Sequence, residues 1–117
     1  MRGDLDRLRD VLEALDAIER HAPLDQAHFN ANELVQVWCM HQLLLLGEAV
    51  AHVSETVRIA HPEVLWRQIV GMRNAIVHGY FQVDADEVWQ VLVRDLAPLR
   101  HAIEAIVASW PAEDDAP

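Results

Sequence analysis

Within nine residues, Met72-Arg73-Asn74-Ala75-Ile76-Val77-His78-Gly79-Tyr80, the chain places a guanidinium, an amide, an imidazole and a phenol at the end of an otherwise apolar stretch. Arginine stays charged and forks onto phosphate, and histidine is the side chain whose unperturbed pKa suits proton transfer near neutrality. Such a set can bind a phosphodiester, move a proton and hold a third group in place. Asn74 and His78 are four apart, so on a helix they share a face and the amide can orient the imidazole. Arg73 and His78 are five apart, about 140° around an ideal helix. They converge on one ligand if the helix ends between them or if the long arginine side chain wraps round. Gly79 offers such an ending, because glycine accepts the left-handed conformation that closes many helices. The same residues also suit a purely structural role, since Arg and Asn can cap carbonyls near a helix end and a histidine in the last turn complements the helix dipole.

The elements that must position this motif read as helices. Leu5, Leu8, Val11, Leu12, Leu15 and Ile18 recur at helical spacing, with Asp4 as candidate N-cap. His21-Ala22-Pro23 breaks this helix, and a link runs to about Asn30. Asn30-Ala31-Asn32-Glu33 reads as a capping box opening a second helix that reaches Ile59 or Ala60, about 45 Å long. Its seam of Leu34, Trp38, His41, Leu45, Glu48, His52 and Ile59 is heptad-like, but three ionisable groups interrupt it. A second stripe, Val35, Cys39, Leu46, Ala49 and Val53, lies about 100° away, so one side faces the bundle and the other a partner chain. His61-Pro62-Glu63 starts a third helix, with Leu65, Ile69, Met72 and Ile76 as its core face, and it ends at the motif. Asp84-Ala85-Asp86-Glu87 opens the last helix, which Pro98 should kink near Arg94-Asp95 or split. Short links between four helices predict an all-α, antiparallel up-down four-helix bundle, one domain over residues 1–111. Residues 112–117 form an acidic tail expected to be disordered.

Glu48 is expected to pair with Arg73 across the bundle, because an unpaired buried carboxylate is costly. His41 and His52 lie about 16 Å apart along the axis, too far to share one ion. Glu48 and His52 alone could do so, and no metal site is predicted.

Composition narrows the class. The chain has 117 residues, is 52% apolar and holds four glycines, which suits one compact helical domain. The N-terminus lacks the apolar core of a signal peptide and no apolar run approaches the ~18 residues that span a bilayer, so the expectation is a cytoplasmic protein without a membrane partner. The single Cys39 excludes an intrachain disulfide and a cysteine-based zinc site. Nine arginines, no lysine and 19 acids give a net charge of −10. That is the wrong sign for a general nucleic-acid binder. An RNA substrate would need a local arginine cluster, with Arg58, Arg67 and Arg73 the nearest candidates.

Arg73-x4-His78-x-Tyr80, preceded by Gly71-Met72 and followed by Val83-Asp84, resembles the signature of the HepT-like ribonuclease toxins of the HEPN (higher eukaryotes and prokaryotes nucleotide-binding) superfamily. The resemblance extends through Leu46-Gly47-Glu48-Ala49, His61-Pro62-Glu63, Trp66-Arg67, Val88-Trp89 and Asp95-Leu96-Ala97-Pro98-Leu99, nearly the whole chain. It implies a HEPN-like homodimer and the toxin of a type II toxin–antitoxin system, a metal-independent endoribonuclease without a cofactor. Arg73, Asn74, His78 and Tyr80 would be its catalytic residues, with Glu48 in support. It further implies a partner, an MntA-like nucleotidyltransferase antitoxin that transfers AMP onto the motif tyrosine, here Tyr80. The alternative is a non-catalytic nucleotide-binding module or scaffold subunit of a nucleotidyltransferase complex, a role the acidic balance suits.

Overall fold

The computed structural model describes residues 3–79 and 84–111, so Tyr80, the link to Val83 and the acidic tail lie outside the described residues. What it describes is all-helical: α1 (Asp4–His21), α2 (Gln26–Ala31), α3 (Glu33–Ala51), α4 (Glu55–Ala60), α5 (Trp66–Gly79), α6 (Ala85–Gln90), a π-helical segment (Val91–Asp95) and α7 (Leu96–Ala108).

α3 is the central element, packed against both α1 and α5, while α7 packs on α1. Core membership shows that neighbours run antiparallel. Leu8 and Val11 near the start of α1 share one cluster with Val50 near the end of α3. Ile18 near the end of α1 shares the other with Cys39 and Met40 near the start of α3. Likewise Trp66, which opens α5, lies with Leu46 and Val50, and Ile76 near its end lies with Cys39, Met40 and Leu43. Arg100 of α7 clamps to Asp16 (2.8 Å) and Glu19 (3.1 Å) on α1. The Trp38 indole donates to the Ala17 carbonyl (3.0 Å), tying α3 to α1.

Several boundaries differ from the sequence expectation, each for a local reason. Gly3, not Asp4, is the N-cap of α1; the Asp4 carboxylate instead accepts from the Ser54 amide (2.8 Å) and hydroxyl (2.7 Å). The link before α3 contains a short helix, α2, capped by Asp25. α3 then opens on Asn32, not Asn30, and the Asn32 side-chain oxygen accepts from the Val35 amide (3.1 Å). The expected 45 Å helix is broken after Ala51. Ser54 caps a new helix, α4, and the Arg58 guanidinium caps the preceding one through the carbonyls of Val50 (2.8 Å) and Val53 (3.1 Å). α5 starts at Trp66 rather than Pro62, after a turn in which the Trp66 indole donates to the His61 carbonyl (2.9 Å). Pro98 acts as expected. It has no N–H to give and its ring crowds the carbonyl four residues back, and the helix answers with the π-helical segment that ends at Asp95.

α3 also corrects the reading of its apolar content. With 19 residues and a mean hydropathy of 1.4 it is long and apolar enough to cross a bilayer. Its central position accounts for this composition, since Cys39, Leu46 and Ala49 of the predicted stripe are buried in the two cores; Val35 is half-buried, and Val53, also buried, lies beyond the helix end. Of the other stripe, Leu34 (82% exposed), His41 and Leu45 (45% exposed) face out, while Trp38 packs against α1 and Glu48 is half-buried.

Candidate active site

Arg73 leaves α5 where that helix crosses α3 at Gly47, and the missing side chain of Gly47 makes the close crossing possible. A Cβ built on Gly47 would sit 2.3 Å from Cβ and 2.9 Å from Cγ of Arg73. No side chain fits there, so the two backbones approach over a bare α-carbon and the arginine stem lies across it. Glu48, the next residue on α3, takes the head: its Oε1 accepts from Arg73 Nε at 2.6 Å and also from Nη2. The pairing expected from the seam is therefore present, half-buried rather than sealed, with the two side chains 28% and 40% exposed. The other carboxylate oxygen of Glu48 lies 4.0 Å from Nε2 of His52, at the end of α3.

Asn74 is oriented differently from the expectation. Its Oδ1 accepts from Arg73 Nη1 at 2.6 Å, so the amide holds the guanidinium and not the imidazole. His78 is exposed in the last turn of α5 and has no hydrogen-bond partner among the described residues. Nor does the helix end between Arg73 and His78. α5 continues through Gly79, and no described glycine takes a positive φ. The Arg73 head turns instead to Glu48 on α3 and to Asn74. On an ideal helix Asn74 and His78 project about 100° and 140° from Arg73, so the amide that holds the guanidinium shares a face of α5 with His78.

A guanidinium has five N–H donors. Glu48 takes two and Asn74 one, which leaves one on each terminal nitrogen. Charged N–H donors of this kind suit phosphate oxygens. Arg58, a sequence candidate for phosphate binding, is committed to the carbonyls at the end of α3. Arg67 is exposed and without a hydrogen bond or ion pair among the described residues. His41 is exposed on the outer stripe of α3. Burial pushes the Cys39 thiol up to about 11, so it is not a nucleophile near neutrality. Among the described residues no three His, Cys, Asp or Glu side chains gather as metal ligands do. Tyr80 lies outside the described residues.

Gly47 is the site residue whose role the sequence reading missed. Its signal was available: a glycine inside a helix is less favourable than alanine by about 1 kcal/mol, and one beside a carboxylate on the seam suggests close approach of another backbone.

The described residues thus form an all-helical protein whose helix α5 carries an anchored guanidinium and, five residues on, an exposed imidazole. Comparison makes the class specific. The family model described as ribonuclease HepT-like matches residues 11–106. A candidate RNase of Methanocaldococcus jannaschii is 30% identical over 100 residues, covering 85% of this chain and 92% of that protein. A candidate ribonuclease HepT of Thermococcus cleftensis is 28% identical over 106 residues, 90% of this chain and 96% of the other. A second candidate RNase of Methanocaldococcus jannaschii is 26% identical over 109 residues, 92% of this chain and 90% of the other. No solved structure matches the chain. The chain belongs to the HepT-like ribonuclease family.

Proposed function

We propose that this chain is the toxin of a toxin–antitoxin pair, an endoribonuclease that cleaves RNA in the cytoplasm without a metal ion. One observation supports the reading: the Arg73 guanidinium is anchored by Glu48 and by Asn74, a residue four before His78 on the same helix, with one N–H left on each terminal nitrogen. A base removes the proton of a 2′-hydroxyl, the freed oxygen attacks the adjacent phosphorus, and the 5′-oxygen leaves with a proton from an acid. The products are a 2′,3′-cyclic phosphate and a 5′-hydroxyl. His78 supplies proton transfer at one end of this exchange, a role worth about 10²–10⁴-fold in rate. Arg73 binds the non-bridging oxygens and stabilises the charge that develops on them. Glu48 and Asn74 aim the guanidinium, and Tyr80 positions the substrate or His78.

One imidazole does not serve as base and acid in the same step, so a second copy supplies the other. The active form is a homodimer of single-domain four-helix bundles, built from α1, α3, α5 and the run from α6 through α7. The exposed apolar stripe of α3 supports a surface for the second copy, since exposed apolar patches commonly mark interaction sites. An MntA-like nucleotidyltransferase antitoxin silences the toxin by placing AMP on Tyr80. A bulky anion beside Arg73 would neutralise and block a phosphate site. Intact-mass measurement after co-expression with such a partner should show added AMP mapping to Tyr80; no addition, or one elsewhere, removes this part of the proposal.

The deciding experiment is His78→Ala. The side chain is exposed and unpartnered among the described residues, so fold and helicity should persist while RNA cleavage and toxicity are lost. Cleavage at the wild-type rate would overturn the assignment.

A further inference from the structure

Although the chain carries 19 acidic residues, none falls between Glu63 and Asp84. Among the described residues α5 is the one long helix without a carboxylate; α1, α3 and α7 all carry them. On α5 the exposed polar residues Arg67, Asn74 and His78 share a strip, projecting at about 120°, 100° and 140° relative to Arg73. Gly71 falls on the same strip at about 160°. It is exposed, and a Cβ there would meet nothing within 4 Å, so no side chain rises between Arg67 and Asn74. Arg67 has no acceptor among the described residues, as is true also of Arg7, Arg9 and Arg20 on the acid-rich α1, whereas the heads of Arg58, Arg73, Arg94 and Arg100 all have one. It also stands in the first turn of α5, where the helix dipole favours a negative ligand.

We infer that this strip is the track for a single-stranded RNA, and that Arg67 binds a phosphate remote from the scissile one. The inference rests on the ribonuclease reading, which places the scissile linkage at His78. Arg67 lies about 16 Å from His78 along the axis, farther than neighbouring phosphates of a strand lie apart. A dinucleotide seated at His78 therefore does not reach it, and a longer strand lying along α5 does. With a net charge of −10 the molecule as a whole repels a polyanion. Affinity for RNA is drawn from this acid-free strip, where no carboxylate opposes the arginine, and Arg67 makes that affinity depend on substrate length.

The test uses the non-cleaving His78→Ala chain as parent, with Arg67→Gln and Arg67→Lys added to it. Each is titrated with a uridine dinucleotide and with a single-stranded oligouridylate several times longer, over a series of salt concentrations. Arg67→Gln should bind the dinucleotide as the parent does and the long strand several-fold more weakly, with a log–log salt slope smaller by about 0.7, one single-strand phosphate contact. Arg67→Lys should retain most of the slope, because a point charge still meets the phosphate. Unchanged affinity and slope on the long strand, or equal losses at both lengths, would overturn the inference. Those outcomes leave the ribonuclease reading standing if the chain with His78 intact cleaves RNA; a chain that neither binds nor cleaves RNA of any length overturns both.

Discussion

Glu48 decides whether Arg73 is a structural ion or an aimed one. The pair is partly exposed, 28% and 40% for the two side chains, so solvent screening limits its share of stability to about 1 kcal/mol or less. Its larger effect is on direction. Glu48 holds Nε and Nη2 while Asn74 holds Nη1, which leaves the guanidinium little freedom to turn. Glu48→Ala should therefore cost little in denaturant midpoint and about 10²-fold in cleavage, the penalty for a misplaced binding group. Measuring stability and single-turnover cleavage on the same preparation separates the two. A loss confined to stability would make the pair structural only. At this scale the sequence was informative about types and less so about partners. The seam spacing was enough to pair Glu48 with Arg73. It did not tell that Asn74 would hold the arginine rather than the histidine, because i,i+4 spacing allows a contact without selecting it over a neighbour with a longer reach.

At the scale of elements, the site exists because α3 and α5 touch at Gly47. Alanine there would gain about 1 kcal/mol of helix propensity. Its Cβ, however, would lie 2.3 Å from Cβ of Arg73, an atom fixed to the backbone that cannot swing aside. The helices must separate, and overpacking of this kind costs about 1–3 kcal/mol. Gly47→Ala should thus lower the unfolding midpoint and also impair cleavage, because the arginine stem moves with α5. Thermal melts read alongside an RNA cleavage assay would show both; a variant as stable and active as wild type would mean that the two helices have room to spare at this crossing. The element boundaries show where local signals fall short. Ser54 has the chemistry of a cap, yet apolar periodicity runs on past it, and the break depends on Asp4 and Arg58 reaching in from elsewhere. Pro98 needed no such help, since its missing donor acts on its own helix.

For the whole molecule, α3 presents a buried stripe and an exposed one, with Leu34 and Leu45 82% and 45% exposed on the outer side. If that side carries a second copy, replacing Leu34 and Leu45 together with glutamate should yield a folded monomer with wild-type helicity and reduced cleavage. Sedimentation would show a dimer for the wild type only. A wild-type chain that sediments as a monomer, or a double variant that remains dimeric, would move the interface off this face.

The sequence by itself determined the helical class, the position of the Arg–Asn–His motif at the end of a helix, the interruption before Pro98 and the family, because periodicity, proline chemistry and motif spacing act within one stretch of chain. Only the tertiary structure decided that the second helix breaks at Ser54, that Arg58 is tied to carbonyls and lost to RNA, and that Gly47 is the gap through which Arg73 reaches Glu48. Each of those outcomes depends on atoms far apart in sequence meeting within a few ångströms, and such meetings are set by how the helices pack.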